Sequence, residues 1–400
     1  MQFLLIFAHI NSIMSKQEKI MNFRDKYQTL DKKDFALALN NIKSSPDTEH
    51  FLINTKTPYF FHYNKEILSI LLELESISKE IDNLLNLFDP FYRSKIIDEI
   101  LLMEIESTAR IENIISYNDD IFSVIRGVKN IKDNNIQDAA HAYKNLLETK
   151  SIEIKELSDI KNLFNTLLRR CIDEDDKPDG KYFRRGTVQI YENNESVYQG
   201  FRGESLINEG MKEFIRVYNL DMPTWLKHII GHYIFETVHP FYDGTGRFGR
   251  FLFTAGVYKE TQNISSFLIS SALARNKREY FDSLRNGRDP REYGCLNNYV
   301  ETTSKLLIQE FKSYRDNLKA NLFSINQIIS YDGLTKTEQE VYRIIKKATI
   351  VSYYGVSNEE IMSLTKVSKR ALILALNKFK AMDLIIDTVI GKTLYHRISD

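Results

Sequence analysis

The chain has 400 residues, 43% of them hydrophobic, and its 54 Lys and Arg are matched by 54 Asp and Glu. That balance excludes a globally basic nucleic-acid coat and a charged disordered chain, and it leaves enough apolar material for roughly two or three domains. Two distant cysteines, Cys171 and Cys295, exclude a disulfide framework and a paired-thiol site, as fits a reducing cytoplasm.

The opening Met1 to Ile10 is apolar but lacks a basic leader and a cleavage site and is far too short to span a bilayer. Met14 or Met21 reads as an alternative start, and no membrane partner is expected. Asp89-Pro90 predicts a helix start, and Ile96, Ile97, Ile100, Leu101, Met103, Ile105 and Ile111 supply the apolar face that follows. Asp173 to Gly180 reads as a charged turn. From Arg184 to Tyr198 two alternating β-prone runs flank Asn193-Asn194, a hairpin signal.

Pro223 to Val238 predicts a helix, because Trp225, Ile229, Ile230, Tyr233, Ile234 and Val238 recur at helical spacing and Pro240 ends it. Apolar rhythm resumes at Phe248, Phe251, Leu252 and Ala255, so a tight loop joins two helices. Ser270 to Arg288 reads as one further helix, with Asp289-Pro290 as a new start. In the tail, Glu338 to Lys347, Asn358 to Leu364 and Ser368 to Met382 are helical, followed by two short strands around Gly391-Lys392. That order looks like a winged helix-turn-helix. Ser357 and Ser368 suit N-caps, and Lys366, Lys369, Arg370, Lys378, Lys380, Lys392 and Arg397 give it a basic cast suited to DNA phosphates. Protein contact is the other use of such a unit.

The loop carries the chemistry. His239-Pro240-Phe241-Tyr242-Asp243-Gly244-Thr245-Gly246-Arg247-Phe248-Gly249-Arg250 gathers a base, a carboxylate, two turn glycines and two guanidinium groups. Unpaired amides and the positive dipole end at a helix start attract anions, and glycines let the backbone approach a phosphate closely. Asp243 is a hard oxygen ligand suited to Mg²⁺, Arg247 and Arg250 share a helix face and hold phosphate oxygens, and His239 takes a proton near neutral pH. A competing metal site at His228, His232 and His239 lacks the carboxylate that hydrolysis needs beside the first His, where Ile229 stands.

The string resembles the signature of the Fic (Fido-superfamily) proteins, HPFx(D/N)GNGRxxR, departing from it at Thr245, where the family has Asn. The resemblance implies a mainly α fold: a helical core with a small β-hairpin flap, an N-terminal helical inhibitory segment and a C-terminal winged helix. It implies transfer of AMP from ATP to a Ser, Thr or Tyr hydroxyl of a target protein or of the chain itself. His239 would be general base, Asp243 the Mg²⁺ ligand, Gly244 and Gly246 the amide nest with Thr245 between them, and Arg247 and Arg250 the clamp for the outer phosphates. Gly186, Thr187, Val188 and Gln189 would belong to the flap that docks the target by strand addition. Asn276 and Tyr280 resemble a segment near the adenine pocket.

Upstream, Thr108-Ala109-Arg110-Ile111-Glu112-Asn113 fits the family's inhibitory pattern (S/T)xxxE(G/N). This implies a pair between Glu112 and Arg250 that removes a guanidinium from the phosphate site. The expected organisation is an extension over 1–20, a helical segment with the inhibitory helix over 21–135, the catalytic domain over 136–325 and the winged-helix unit over 326–400. Cytoplasmic location is expected, and a homodimer stays open. The alternative from another class is a DNA-binding regulator whose Fic core, weakened at Thr245, senses nucleotide.

Overall fold

A computed structural model of the chain describes residues 23, 30–53, 58–127, 134–149, 151–168, 170–192, 195–327 and 331–399. The extension over 1–20, both alternative starts and the Asn193-Asn194 turn lie outside them. The described elements are α1 (Lys32–Lys43), β1 (Thr48–Phe51), β2 (Tyr59–His62), α2 (Lys65–Leu85), α3 (Pro90–Ile111), α4 (Asn118–Ile125), α5 (Asn134–Thr149) and α6 (Leu157–Leu168). After them come β3 (Gln189–Glu192), β4 (Glu195–Gln199), α7 (Glu204–Tyr218), α8 (Thr224–Val238), α9 (Thr245–Thr261), α10 (Ile269–Arg275), α11 (Lys277–Gly287) and α12 (Asn297–Asn326). The tail forms α13 (Lys336–Val351), β5 (Val356–Ser357), α14 (Asn358–Leu364), α15 (Lys369–Ala381), β6 (Ile385–Ile390) and β7 (Thr393–Ile398).

The fold is mainly helical, and its described sheets are small and antiparallel: β1 with β2, β3 with β4, and a three-stranded sheet in the order β5-β7-β6. No described helix is long and apolar enough to cross a membrane. Every residue of α8 from Trp225 to Val238 is buried. A helix apolar on nearly all sides belongs at the centre of a core, and α8 packs between α7 and α9 while α12 lies along α2.

Helix α3 begins as the Asp89-Pro90 pair dictates: the Asp89 carboxylate accepts the Phe91 amide at 3.0 Å and Pro90 occupies the first turn, where no N–H is required. It ends in a Schellman turn. Asn113 takes the left-handed conformation (φ 58°), its amide reaches Arg110 O at 3.1 Å, and the Ile114 amide reaches Ala109 O at 3.0 Å. This fixes the direction in which Glu112, the last residue before the reversal, leaves the helix.

Midway along α3 the fully buried Glu104 accepts the Ser270 amide at 2.8 Å, the Ser270 hydroxyl at 2.7 Å and the Thr254 hydroxyl at 3.0 Å. No side chain within α10 caps that helix, so Glu104 serves its start from another element. Burial pushes the Glu104 carboxyl up to about 7. The folded state therefore holds this proton more tightly than the unfolded chain, and the group's contribution to stability is full below pH 4.5 and fades as pH rises through 7. Glu104→Ala is expected to cost about 3 kcal/mol, because three donors lose their acceptor. Urea titrations at pH 5 and pH 8 test both points: Glu104→Gln should show a smaller difference between the two pH values than the parent, and an equal difference removes Glu104 from the account.

The helix expected over Ser270 to Arg288 is two helices. Asn276 breaks it with a non-helical backbone (φ −117°, ψ 40°), and its amide turns back to Ala272 O at 3.3 Å, a local bond of the kind by which Asn competes with a helix. Asp289-Pro290 then opens a short 3₁₀ turn, Pro290–Glu292. In the tail the three expected helices and two strands are present, with β5 added. Ser357 and Ser368 cap α14 and α15, and Thr335 with Glu338 forms a capping box on α13.

Candidate active site

The α8–α9 junction turns on two left-handed residues, His239 (φ 52°) and Gly244 (φ 77°). His239 closes α8, its amide reaching Phe235 O at 2.9 Å, and Gly244 opens α9 with no side-chain cap. The first amides of α9 are therefore not served by a capping side chain, the condition under which a helix start takes an anion. A Cβ on Gly244 would meet Leu168 at 2.7 Å, and one on Gly246 would meet Glu112 Oε1 at 2.2 Å. Both positions need glycine, the second because a carboxylate lies against it.

A cleft of about 880 Å³, open mouth included, is lined by Glu112, Glu236, His239, Tyr242, Asp243, Gly244, Thr245, Gly246 and Arg250, and on its far side by Tyr280, Phe281, Leu284, Arg285 and Arg288 of α11 and its end. His239 Nδ1 is buried without a hydrogen-bond partner. Burial, then the guanidinium groups of Arg184 and Arg288, push its pKa down to about 3, so the ring is neutral at physiological pH. Asp243 is exposed. Its Oδ1 accepts the Gly244 amide at 2.6 Å and its Oδ2 accepts Arg247 Nη2 at 2.9 Å.

Arg250 is 1% exposed. Its Nε donates to the Thr108 hydroxyl at 2.9 Å, and its Nη2 donates to Thr108 O at 3.1 Å and to Glu112 Oε1 at 2.6 Å. Burial opposes its charge, but the Glu112 carboxylate prevails and holds the guanidinium above its usual range. The three fixed positions of the upstream pattern thus have three separate jobs: Thr108 grips Arg250 through hydroxyl and carbonyl, Glu112 neutralises it, and Asn113 turns the chain.

Two expectations meet a different geometry. Arg247 does not itself line the cleft; it is buried beside Ile105, Thr108 and Leu168, with its guanidinium on Asp243 at the cleft's edge. Three positions leave the two side chains about 60° apart on α9, and their partners separate them: Arg247 turns to Asp243 and Arg250 to Thr108 and Glu112. Asn276 is likewise absent from the lining, whereas Tyr280 lines it and donates or accepts at His232 Nε2, 2.8 Å away. That bond, and the 3.3 Å contact of His228 with Glu260, give the other two histidines partners of their own. Among the described residues no group of three or more His, Cys, Asp or Glu gathers to hold a metal ion.

Thr245 spends its hydroxyl on the loop itself, donating to Phe241 O at 3.1 Å and accepting the Phe241 amide at 3.2 Å. Thr245→Val should therefore cost about 1–3 kcal/mol by leaving the buried Phe241 amide without its acceptor. A urea midpoint unchanged from the parent would remove this tie.

Three groups in or beside the cleft are absent from the sequence-level expectations. Arg184, fully buried, donates from Nε to His239 O at 2.9 Å and from Nη1 to Gly186 O, tying the segment that leads into β3 to the end of α8. Gly186 in turn donates to the Tyr242 hydroxyl at 2.7 Å, and Val188 O accepts the Gly200 amide at 3.1 Å, while Thr187 and Gln189 are exposed. Arg288 donates to Glu236 O at 3.0 Å and lies 3.9 Å from the Tyr198 ring centroid. Glu236 is 7% exposed with Oε1 unpartnered, and burial raises its pKa to about 7. A Glu in a mostly apolar helix, directly after Tyr233-Ile234-Phe235 and three positions before His239, was the available signal.

Residues 155–255 match the model of the Fic/DOC family, a stretch that includes β3 and β4, α8 and the whole His239 to Arg250 loop. Among solved structures the chain is similar to a Fic family protein from Desulfovibrio desulfuricans G20, at 19% identity over 86% of this chain and 98% of that one, with a TM-score of 0.53; this is a likeness of fold. It also aligns with a Fic domain containing signaling protein from Bacteroides thetaiotaomicron VPI-5482 (14% identity, 62% of this chain, 97% of that one, TM-score 0.46). A third alignment is with Fic-1 from C. elegans (17% identity, 63% and 74%, TM-score 0.43). No curated protein matches the chain.

Proposed function

We propose that this chain, whose residues 155–255 match the Fic/DOC family, is a protein adenylyltransferase that moves AMP from ATP to a hydroxyl of a target protein or of itself. The observation that carries this is the convergence of a neutral His239, the glycine-flanked start of α9 and the Arg250 guanidinium on one cleft. The acceptor oxygen forms a bond to the α-phosphorus, its proton goes to His239, and the bond to the β-phosphate oxygen breaks to release pyrophosphate. Amides at Thr245 and Gly246 face the phosphates, and Arg250, once free of Glu112, takes outer oxygens.

Asp243 fits a Mg²⁺ ion: it is an exposed carboxylate beside the helix start, and Mg²⁺ takes one or two carboxylates together with substrate phosphates. The ion would supply countercharge for the leaving pyrophosphate. The flap, clamped by Arg184, offers the exposed Thr187 and Gln189 beside the base for an extended target segment. With Glu112 on Arg250, the resting protein is autoinhibited. We place the chain in the cytoplasm, where cysteines that form no disulfide, as Cys171 and Cys295 here, are the rule.

The regulator alternative draws less support, since Lys378 pairs with Glu338 at 2.8 Å and Lys380 with Asp387, which leaves fewer cations for DNA phosphates. ATP labelled in separate tubes at the α- and γ-phosphates, incubated with Mg²⁺ and the Glu112→Gly protein, decides the reaction. Protein-bound α-label without γ-label is expected; γ-label on protein, or DNA retention with neither label, overturns the reading.

A further inference from the structure

Glu112 leaves a turn whose two supports, α3 on one side and α4 on the other, both contact the C-terminal helices and sheet. On α3, Lys95 is fully buried with Nζ 3.1 and 3.0 Å from the two carboxylate oxygens of Glu360, and Glu99 Oε1 accepts the Ser352 hydroxyl at 2.7 Å and the Tyr353 amide at 2.9 Å. On the α4 side, Asp119 accepts the Tyr354 hydroxyl at 2.7 Å, and Phe122 stacks on the Tyr354 ring with centroids 4.1 Å apart. Arg126, just beyond α4, lies 3.2 Å from Glu360 and 3.0 Å from Asp98 of α3. Glu360 therefore ties the two supports together while its Oε2 also accepts the Ser357 amide that starts α14, at 2.8 Å.

We propose that the C-terminal helices and sheet act as a clasp on α3 and α4, holding the Glu112 turn against Arg250 and Gly246, so that loosening the clasp, about 25 Å away along α3, releases the phosphate site. This rests on the reading of Glu112 as a block.

The chemistry of the contact suits a clasp. Its centre is a set of largely buried charges, the fully buried Lys95 with the partly exposed Glu360, Arg126 and Asp98, which stabilises little when complete but loses several-fold more when one partner is removed. Such a contact is near balance when closed and opens sharply when any member is drawn away. An apolar interface of equal size would loosen gradually. The middle of α3 is anchored separately by Glu104, so opening the clasp frees α4 and the 112–117 turn without carrying α3 out of the core.

The test uses the full chain with Glu360→Gln, and Tyr354→Phe as a milder variant that removes one hydroxyl and keeps the ring stack. Hydrogen exchange at amides 109–117 and α-label transfer from ATP are measured for each, alone and combined with Glu112→Gly. Faster exchange over 109–117 and a rise in transfer of roughly 5-fold or more, with no added rise in the Glu112→Gly background, is the expected result. Exchange that quickens over 336–399 but not over 109–117 overturns the clasp, as does a rise in transfer that adds fully to that of Glu112→Gly. If 109–117 quickens while no variant, Glu112→Gly included, transfers label, the clasp stands and the adenylyltransferase reading fails.

Discussion

His239→Ala is expected to lower AMP transfer about 10²- to 10⁴-fold, the range over which a positioned proton acceptor accelerates its step. The ring stays unprotonated because burial and two guanidinium groups, Arg184 and Arg288, disfavour its cation, with a pKa pushed down to about 3. For a base the sign is favourable: lowering the pKa keeps the acceptor form populated, so kcat/KM should show no acidic limb near 6.5 and fall off only well below pH 5. A triphosphate in the cleft brings negative charge that favours the imidazolium, so the limb in kcat should lie at higher pH than the limb in kcat/KM. An acidic limb at 6.5 in both would mean that the ring is solvated and unshifted. Because His239 sits at φ 52°, Ala there carries a left-handed strain of about 1 kcal/mol. His239→Asn, which tolerates that conformation, separates lost chemistry from lost loop geometry: both variants should be equally inactive, and recovery of transfer in the Asn variant would show that backbone, not base, mattered.

Local chemistry made most of the elements legible. Asp89-Pro90, Pro223, the glycines at 244 and 246 and the Ser357 and Ser368 caps each act within a turn of their own position, so pattern and outcome agree. Asn276 shows the limit: the apolar period over Ser270 to Arg288 continues through it, yet a single amide bonding Ala272 O breaks the helix. Side-chain destination was less legible than backbone. Arg247 and Arg250 look alike in the string, and the packing of α9 sends one to Asp243 and the other to Thr108 and Glu112. Arg184, Glu104 and Lys95 find their partners 55, 166 and 265 positions away, and no periodicity within a window reports a bond of that span. The family resemblance did imply the pairing of Glu112 with Arg250 in advance, because each partner lies within its own segment's pattern, complete around Glu112 and altered only at Thr245 around Arg250.

Glu112→Gly carries the second large effect: transfer should rise roughly 5- to 150-fold, equivalent to about 1–3 kcal/mol of released coupling. The turn itself tolerates the change, since Asn113 supplies the left-handed residue and the Schellman bonds to Ala109 and Arg110 are backbone bonds. Stability should drop by about 1 to 3 kcal/mol: the Glu112 side chain is 35% exposed, which screens the pair, but Arg250 is 1% exposed and loses its carboxylate partner. Arg250 keeps its Thr108 contacts, so it is freed at one nitrogen and not released altogether. Glu236 then becomes the carboxylate nearest in effect. Its pKa is raised to about 7 by burial, lowered by Arg250 and raised by Glu112, so removing Glu112 shifts it downward and gives Arg250 a weaker, internal counterion that a triphosphate displaces readily. Binding of a fluorescent ATP analogue should tighten in parallel with the rise in transfer. Unchanged binding and unchanged transfer in a folded protein would mean that the Glu112 carboxylate beside Gly246 obstructs nothing, and the 2.6 Å pair would then be a structural tie between α3 and α9 alone.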